Sequence, residues 1–399
     1  MAGLSTTRMR RVRDALARYV DNGTLPGAVA VASRHGDTHV ETVGTTELGG
    51  GTPMREDTIF RIASMTKPVA AVAAMTFVEE CRLRLDDPVD PLLPELADRR
   101  VLVSVDGPLD DTVPAARPIT LRDLLTFRPG FGMLDDTPVG RPILAAARRL
   151  GVGGGPPHPA AMPDPDAFLR GLGELPLMYQ PGERWLYHTG SDVLGVLLER
   201  LVDRPLDEVL QERVFDPLGM VDTAFSVPAD RIHRLPPAYL VDHETGEPEL
   251  LDHAEGGEWA SPPPFRSAGG GLVSTAADFL AFGTMMLRQG RYEGGRVLSR
   301  PSVRLMTTDQ LTREQKALSG FFPGYFDHQG WGFGMCVLTG RNTLAATPGR
   351  FGWYGGLGTA WATDPAEDLV AILLTQRSEF PELSPVHQDF WTSVYQAVD

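Results

Sequence analysis

The chain has 399 residues, 42% hydrophobic and 22% charged, ordinary figures for a soluble globular protein able to bury a large core. Its net charge of −15 lacks the basic footprint that nucleic acid or an anionic membrane surface requires, so neither is an expected partner. Cys81 and Cys336 lie far apart and form no zinc-type spacing, which excludes a disulfide framework and gives no ground for a metal site.

Taken in order, the N-terminal segment carries Met9, Val12, Leu16 and Tyr19 or Val20 at helical spacing and reads as an amphipathic helix. It has basic residues but neither an apolar signal core nor a cleavage site, and no run approaches the roughly 18 apolar residues of a membrane span. The cytoplasm is the expected location. Pro26 to Arg34 is a short apolar run, His35 to Asp37 a turn, and Thr38 to Gly44 alternates, so the three form an antiparallel hairpin. Thr120 to Phe127 is a short capped helix, and Gly151 to Asp166 is a loop excursion at the rim of a cleft. Ser191 to Asp203 is a stronger helix with Ser191 or Asp192 as N-cap and an apolar face of Val193, Leu194, Leu197, Leu198 and Leu201. Thr359 to Pro365 and Asp368 to Gln376 pair as a second hairpin, and a helix from Pro385 to Val398 closes the chain. The expected fold class is therefore α/β (α+β): an antiparallel sheet built from both termini, flanked by helices, with a mainly helical domain inserted. The corresponding division is 1–62 with 265–399 for the sheet, and 63–264 for the helices.

Chemistry enters at Arg61 to Met75, R-I-A-S-M-T-K-P-V-A-A-V-A-A-M. Lys67 and Lys316 are the two lysines among 37 basic residues, so an arginine-writing chain makes an exception at position 67. Pro68 belongs in the first turn of a helix, so the helix begins at about Ser64 and places Ser64 and Lys67 on one face. A guanidinium stays protonated and cannot take a proton from serine, whereas a desolvated amine can become a base. The bland alternative is coincidence, since Ser-x-x-Lys arises by chance about once in a chain of this size.

Further segments extend the pattern. F-R-I-A-S-M-T-K, Q-P-G-E-R-W-L-Y-H-T-G-S-D-V-L-G (from Gln180), F-D-P-L-G-M-V-D-T (from Phe215), G-G-G-L-V-S-T-A-A-D (from Gly269) and F-G-W-Y-G-G-L-G-T-A-W-A-T-D-P (from Phe351) resemble, in order, the serine β-lactamase and penicillin-binding-protein superfamily. The nearest resemblance is to the family VIII carboxylesterases related to class C β-lactamases. It implies Ser64 as acylated nucleophile, Lys67 as its proton-transfer partner, Tyr187 as the phenol of the relay, and an active site in the cleft between the two domains. The oxyanion donors would be the Ser64 N–H and a backbone N–H beside Trp353, at Gly355 or Gly356.

The chain departs from the lactamase pattern at two places. Tyr187-His188-Thr189 stands where Tyr-x-Asn is usual, and Trp353-Tyr354-Gly355 stands where a cation is usual. Family VIII esterases fit better, with Tyr187, Ser191 and Asp192 matching their second motif, while Arg350 and Arg128 remain as sources of charge. His188 reads as an exposed or structural histidine rather than a base. There is no G-x-S-x-G, H-E-x-x-H, dinucleotide fingerprint or P-loop, so no metal and no cofactor is expected. The sequence thus points to a serine hydrolase acting on a small-molecule ester or acyl substrate. Its rivals are an acyltransferase on the same acyl-enzyme, a β-lactamase or DD-peptidase, and a non-catalytic binding domain on this fold.

Overall fold

The computed structural model describes residues 3–133, 141–153, 158–241, 248–378 and 385–398. Both hairpins form within one eight-stranded antiparallel sheet. Its strands are β1 (Gly27–Arg34), β2 (Asp37–Glu47), β3 (Gly50–Pro53), β4 (Gln329–Trp331), β5 (Cys336–Leu338), β6 (Phe351–Gly355), β7 (Thr359–Asp364) and β8 (Leu369–Leu374), in the spatial order β4-β5-β6-β7-β8-β1-β2-β3. The junction between the two ends of the chain is the β8–β1 pair, with Val31 opposite Ile372.

Both faces of this sheet are covered, which is why β1 and β8 read as nearly continuous apolar runs. Ala28, Ala30 and Ala32 point to one side and Val29 and Val31 to the other. The alanine side packs on α1 (Thr6–Asp21) and on the C-terminal helix (Pro385–Tyr395) through Met9, Val12, Leu16, Phe390 and Val394. The small alanines let those two helices lie close. Tyr19 Oη donates to Asp389 at 2.8 Å and Ser5 N to Ala397 O at 3.0 Å, so the two ends hold each other. The valine side meets a helix at Ala276–Leu287, whose Phe279 and Phe282 bear on Trp361.

Residues between β3 and β4 supply the helical part. Its centre is α2 (Thr66–Glu79), buried on all sides from Thr66 to Phe77, as a helix apolar all round must be. The short helix α3 (Leu121–Leu125) has a full capping box from Thr120 and Asp123. The second long helix, α4 (Thr189–Val202), starts two residues before the position expected from sequence. Ser191 and Asp192 are not caps but lie inside its first turn, because His188 takes the N-cap position. The loop expected at Gly151 to Asp166 runs into a helix at Pro165, and its residues 154–157 lie outside the described ones. Cys81 and Cys336 are both free thiols, one exposed and one buried. Among the described residues no helix is long and apolar enough to cross a membrane.

The approach to Ser64 is rigidly held. Phe60 and Arg61 pair with Ser274 and Val273 in a two-residue ladder. The buried Arg61 guanidinium donates to Asp252 Oδ2 at 2.9 Å, to Pro236 O at 2.6 Å and to His253 O at 3.0 Å, and lies over the Trp259 ring. A buried charge with so many partners fixes the backbone three residues before Ser64.

Candidate active site

Beyond Arg61 the chain turns sharply. Ala63 has a positive φ of 44°, and Ala63–Met65 form one 3₁₀ turn that runs directly into α2. Thr66 Oγ1 donates to Ala63 O at 2.7 Å and accepts from Leu272 N at 3.2 Å, tying the turn to the Gly269 segment. Pro68 is the third residue of α2, where its missing N–H costs nothing. Ser64 sits half-buried at the mouth of the helix, and Lys67 Nζ lies 2.9 Å from its Oγ.

The amine is only 1% exposed. Burial lowers the Lys67 pKa from 10.5 to about 7, and the nearby Asp192 carboxylate opposes that shift. Nζ also donates to the carbonyl of Gly269 and stands 3.3 Å from His188 Nδ1. It also lies over the Tyr187 ring, 4.5 Å from the centroid. The other lysine is elsewhere, paired with Asp309.

Tyr187 lies beside the lysine amine. Its hydroxyl accepts from Trp353 Nε1 at 2.7 Å, and burial raises its pKa above the ordinary phenol value, against hydrogen bonding with Ser64 and Trp353. The ring is walled by Phe127, Phe321 and Trp353 at centroid distances of 5.7, 5.1 and 5.6 Å. Trp353 on β6 thus puts an indole N–H on the phenol oxygen, at the place where the resembled lactamases carry a cation.

His188, read from the sequence as an exposed or structural histidine rather than a base, is partly buried and paired with an aspartate. It faces the lysine, and its Nε2 meets Asp192 Oδ2 at 3.1 Å. Burial alone would raise the Asp192 pKa, but His188, Ser267 Oγ at 2.7 Å and Gly269 N at 2.9 Å together hold it below the ordinary carboxylate value. The available signal was a histidine four residues before an aspartate, next to Tyr187. Gly269 belongs to a recognised segment, but its part is played by backbone atoms that no side-chain pattern reveals.

Gly355 and Gly356 differ in surroundings. A Cβ on Gly355 would stand 2.3 Å from Ile62 O, so its lack of a side chain lets β6 lie against the Ser64 turn. A Cβ on Gly356 would meet nothing within 4 Å. Strand β5 pairs with β6 only at Phe351 and Gly352. Arg350 does not supply the missing cation: its guanidinium stacks 4.0 Å from the Trp391 ring centroid and donates to Ala345 O. Arg128 donates to Thr126 Oγ1 at 2.9 Å, and among the described residues neither arginine bonds to Ser64, Lys67 or Tyr187. Also among the described residues, no cluster of three or more His, Cys, Asp or Glu side chains has the arrangement to hold a metal.

Known proteins resemble this chain over most of its length. Protein Rv1367c of Mycobacterium tuberculosis (strain H37Rv) is 42% identical over 370 residues, covering 91% of this chain and 88% of that protein. Esterase EstB of Burkholderia gladioli is 32% identical over 373 residues, covering 88% and 86%. Among solved structures, EstCE1, described as a hydrolase with promiscuous acyltransferase activity, superposes with a TM-score of 0.81 at 27% identity, covering 98% of this chain and 99% of that one. The family model described as Beta-lactamase matches residues 12–395, and the chain belongs to that family.

Proposed function

We propose that this chain is a serine hydrolase that forms an acyl-enzyme on Ser64 with small carboxylic esters bearing uncharged acyl groups. The observation that carries the reading is the 2.9 Å contact between Ser64 Oγ and a fully buried lysine amine. Burial brings that amine to about 7 while it keeps the Tyr187 phenol protonated, which supports the two roles at neutral pH. Lys67 takes the Ser64 proton as Oγ attacks the carbonyl carbon. Tyr187 gives a proton to the departing alkoxide and recovers one from the Lys67 ammonium. Water then enters by the same relay and releases the acid.

The developing oxyanion needs two fixed donors. Ser64 N–H at the helix mouth is one. Arg350 O accepts from Leu338 N at 2.8 Å, so the even-numbered residues of β6 turn their amide groups toward the β5 edge. That edge is free of β5 past Gly352, and the alternation favours Gly356 N–H over Gly355 as the second donor. Trp353 supports an uncharged acyl group, because an indole N–H cannot neutralise a substrate carboxylate. The same reading places the cleft between a sheet domain (1–62 with 265–399) and a helical domain (63–264).

A second reading, acyl transfer to an alcohol or amine, uses the same acyl-enzyme. The aromatic wall around Tyr187 favours it, since an apolar acceptor seated there would displace water from the relay. EstCE1, by its description, combines hydrolase and acyltransferase activities.

Ser64→Ala abolishes hydrolysis of short p-nitrophenyl esters and labelling by a fluorophosphonate; persistent labelling would move the nucleophile elsewhere. Because Lys67 acts as free base, kcat/KM rises tenfold per pH unit below about 7 and levels off above it. Lys67→Arg loses about a thousandfold with its circular dichroism intact, and a limb near pH 5 or an active arginine variant removes the base. Nitrocefin turnover falls at least about a hundredfold below ester turnover, the size of a lost charge-assisted contact, and comparable rates would contradict the role given to Trp353.

A further inference from the structure

His188 is held in an unusual conformation. Its φ of 80° and ψ of −67° lie in the positive-φ γ-turn region, and Thr189 N donates across it to Tyr187 O at 3.2 Å. Such a turn is rare and strained for a residue with a side chain. Here it turns Tyr187 and His188 toward the same amine: the phenol ring lies 4.5 Å from Lys67 Nζ and the imidazole Nδ1 3.3 Å from it.

We propose that the His188–Asp192 pair is a positioning device that aims the lone pair of Lys67 at Ser64. A neutral amine has two N–H bonds and one lone pair. Two acceptors, Gly269 O and His188 Nδ1, take the two N–H bonds, which leaves the lone pair for the Ser64 hydroxyl 2.9 Å away. This works only if Nδ1 is an acceptor, and Asp192 ensures it. The carboxylate accepts from Ser267 Oγ and Gly269 N on Oδ1 and meets His188 Nε2 with Oδ2, so the ring proton belongs on Nε2. Gly269 closes the circuit, its N–H on Asp192 and its C=O on Lys67. A Cβ there would stand 2.9 Å from Asp192 Oδ1 and 3.0 Å from His188 Nε2.

The same shell serves the next state. Once Lys67 has taken the serine proton, its three N–H bonds find three acceptors already in place, and the Asp192 charge lies behind His188. Both imidazole nitrogens are engaged, so His188 acts through Lys67 and not on the substrate. The titratable groups that face it are Lys67 from α2, Asp192 from α4, Tyr187 beside it, and His158, which shares a cavity of about 40 Å³ with it and bonds Glu258 at 2.9 Å.

This inference rests on the acyl-enzyme reading, and one experiment separates the two. Fluorophosphonate labelling of Ser64 and the pH profile of ester hydrolysis are measured on the full chain and on His188→Ala, His188→Asn and Asp192→Asn. Asparagine tolerates a positive φ and offers an acceptor oxygen near the place of Nδ1. His188→Ala is expected to lower kcat about a hundredfold with KM within about threefold, and His188→Asn to stay within about tenfold of the parent. Asp192→Asn is expected to lose kcat while its acid limb moves to lower pH, because the charge that favours the ammonium is gone. A His188→Ala protein with the parent's kcat and limb overturns the positioning role, as does a folded His188→Asn protein no better than His188→Ala. Failure of the unaltered chain to label at Ser64 overturns the acyl-enzyme reading instead.

Discussion

Everything at this site depends on taking one ammonium group out of water. The drop of the Lys67 pKa from 10.5 to about 7 corresponds to roughly 5 kcal/mol of disfavour for the charged form in the folded chain. Because the folded value lies below the unfolded one, that penalty is fully present below about pH 7. It fades as the pH rises toward 10.5, where the unfolded chain loses its proton too. The cost arises because Lys67 lies in a helix that is buried on all sides and apolar from Pro68 to Met75. In the proposed mechanism that destabilised charge is what lets the amine act as a base at neutral pH.

The rest of the structure holds partners around that amine at fixed distances. The Arg61–Asp252 pair anchors the chain before Ser64, Gly355 lets β6 approach Ile62, and the Trp353 indole fixes the phenol oxygen. A neutral hydrogen bond such as that from Trp353 to Tyr187 contributes only about 1 kcal/mol, and the buried Arg61–Asp252 attraction is largely offset by the desolvation of both charges. Their common effect is to leave the reacting groups few alternative arrangements, and preorganisation of this kind is worth more to a reaction than to stability. The aromatic wall does the complementary work of keeping water away from Lys67 and Tyr187.

What the sequence made legible follows the range over which each feature is determined. Ser64 and Lys67 are three residues apart with Pro68 behind them, so local geometry alone predicts their meeting. The terminal hairpins follow from strand-length apolar runs bounded by turn residues at both ends, with alternation at Thr38 to Gly44. Tyr187 and Trp353 needed the resemblance, because they come from segments more than a hundred residues distant. The start of α4 was misplaced because cap preferences put it at Ser191 or Asp192, while the γ-turn at His188 that moves it has no composition of its own. The choice between Gly355 and Gly356 turns on which way alternate amides face in β6, and that parity is set by pairing with Leu338 rather than by any residue type.

The central claim is that Lys67 is uncharged for much of its life near pH 7. Since the chain holds two lysines, isotope labelling of lysine gives two side-chain signals, and Lys67→Met identifies one of them by its loss. Followed by NMR from pH 5 to 11, the Lys67 Cε resonance should titrate with a midpoint of about 7. A midpoint near 10.5, the value of a solvated amine, would mean that Lys67 stays an ammonium at neutral pH and cannot take the serine proton.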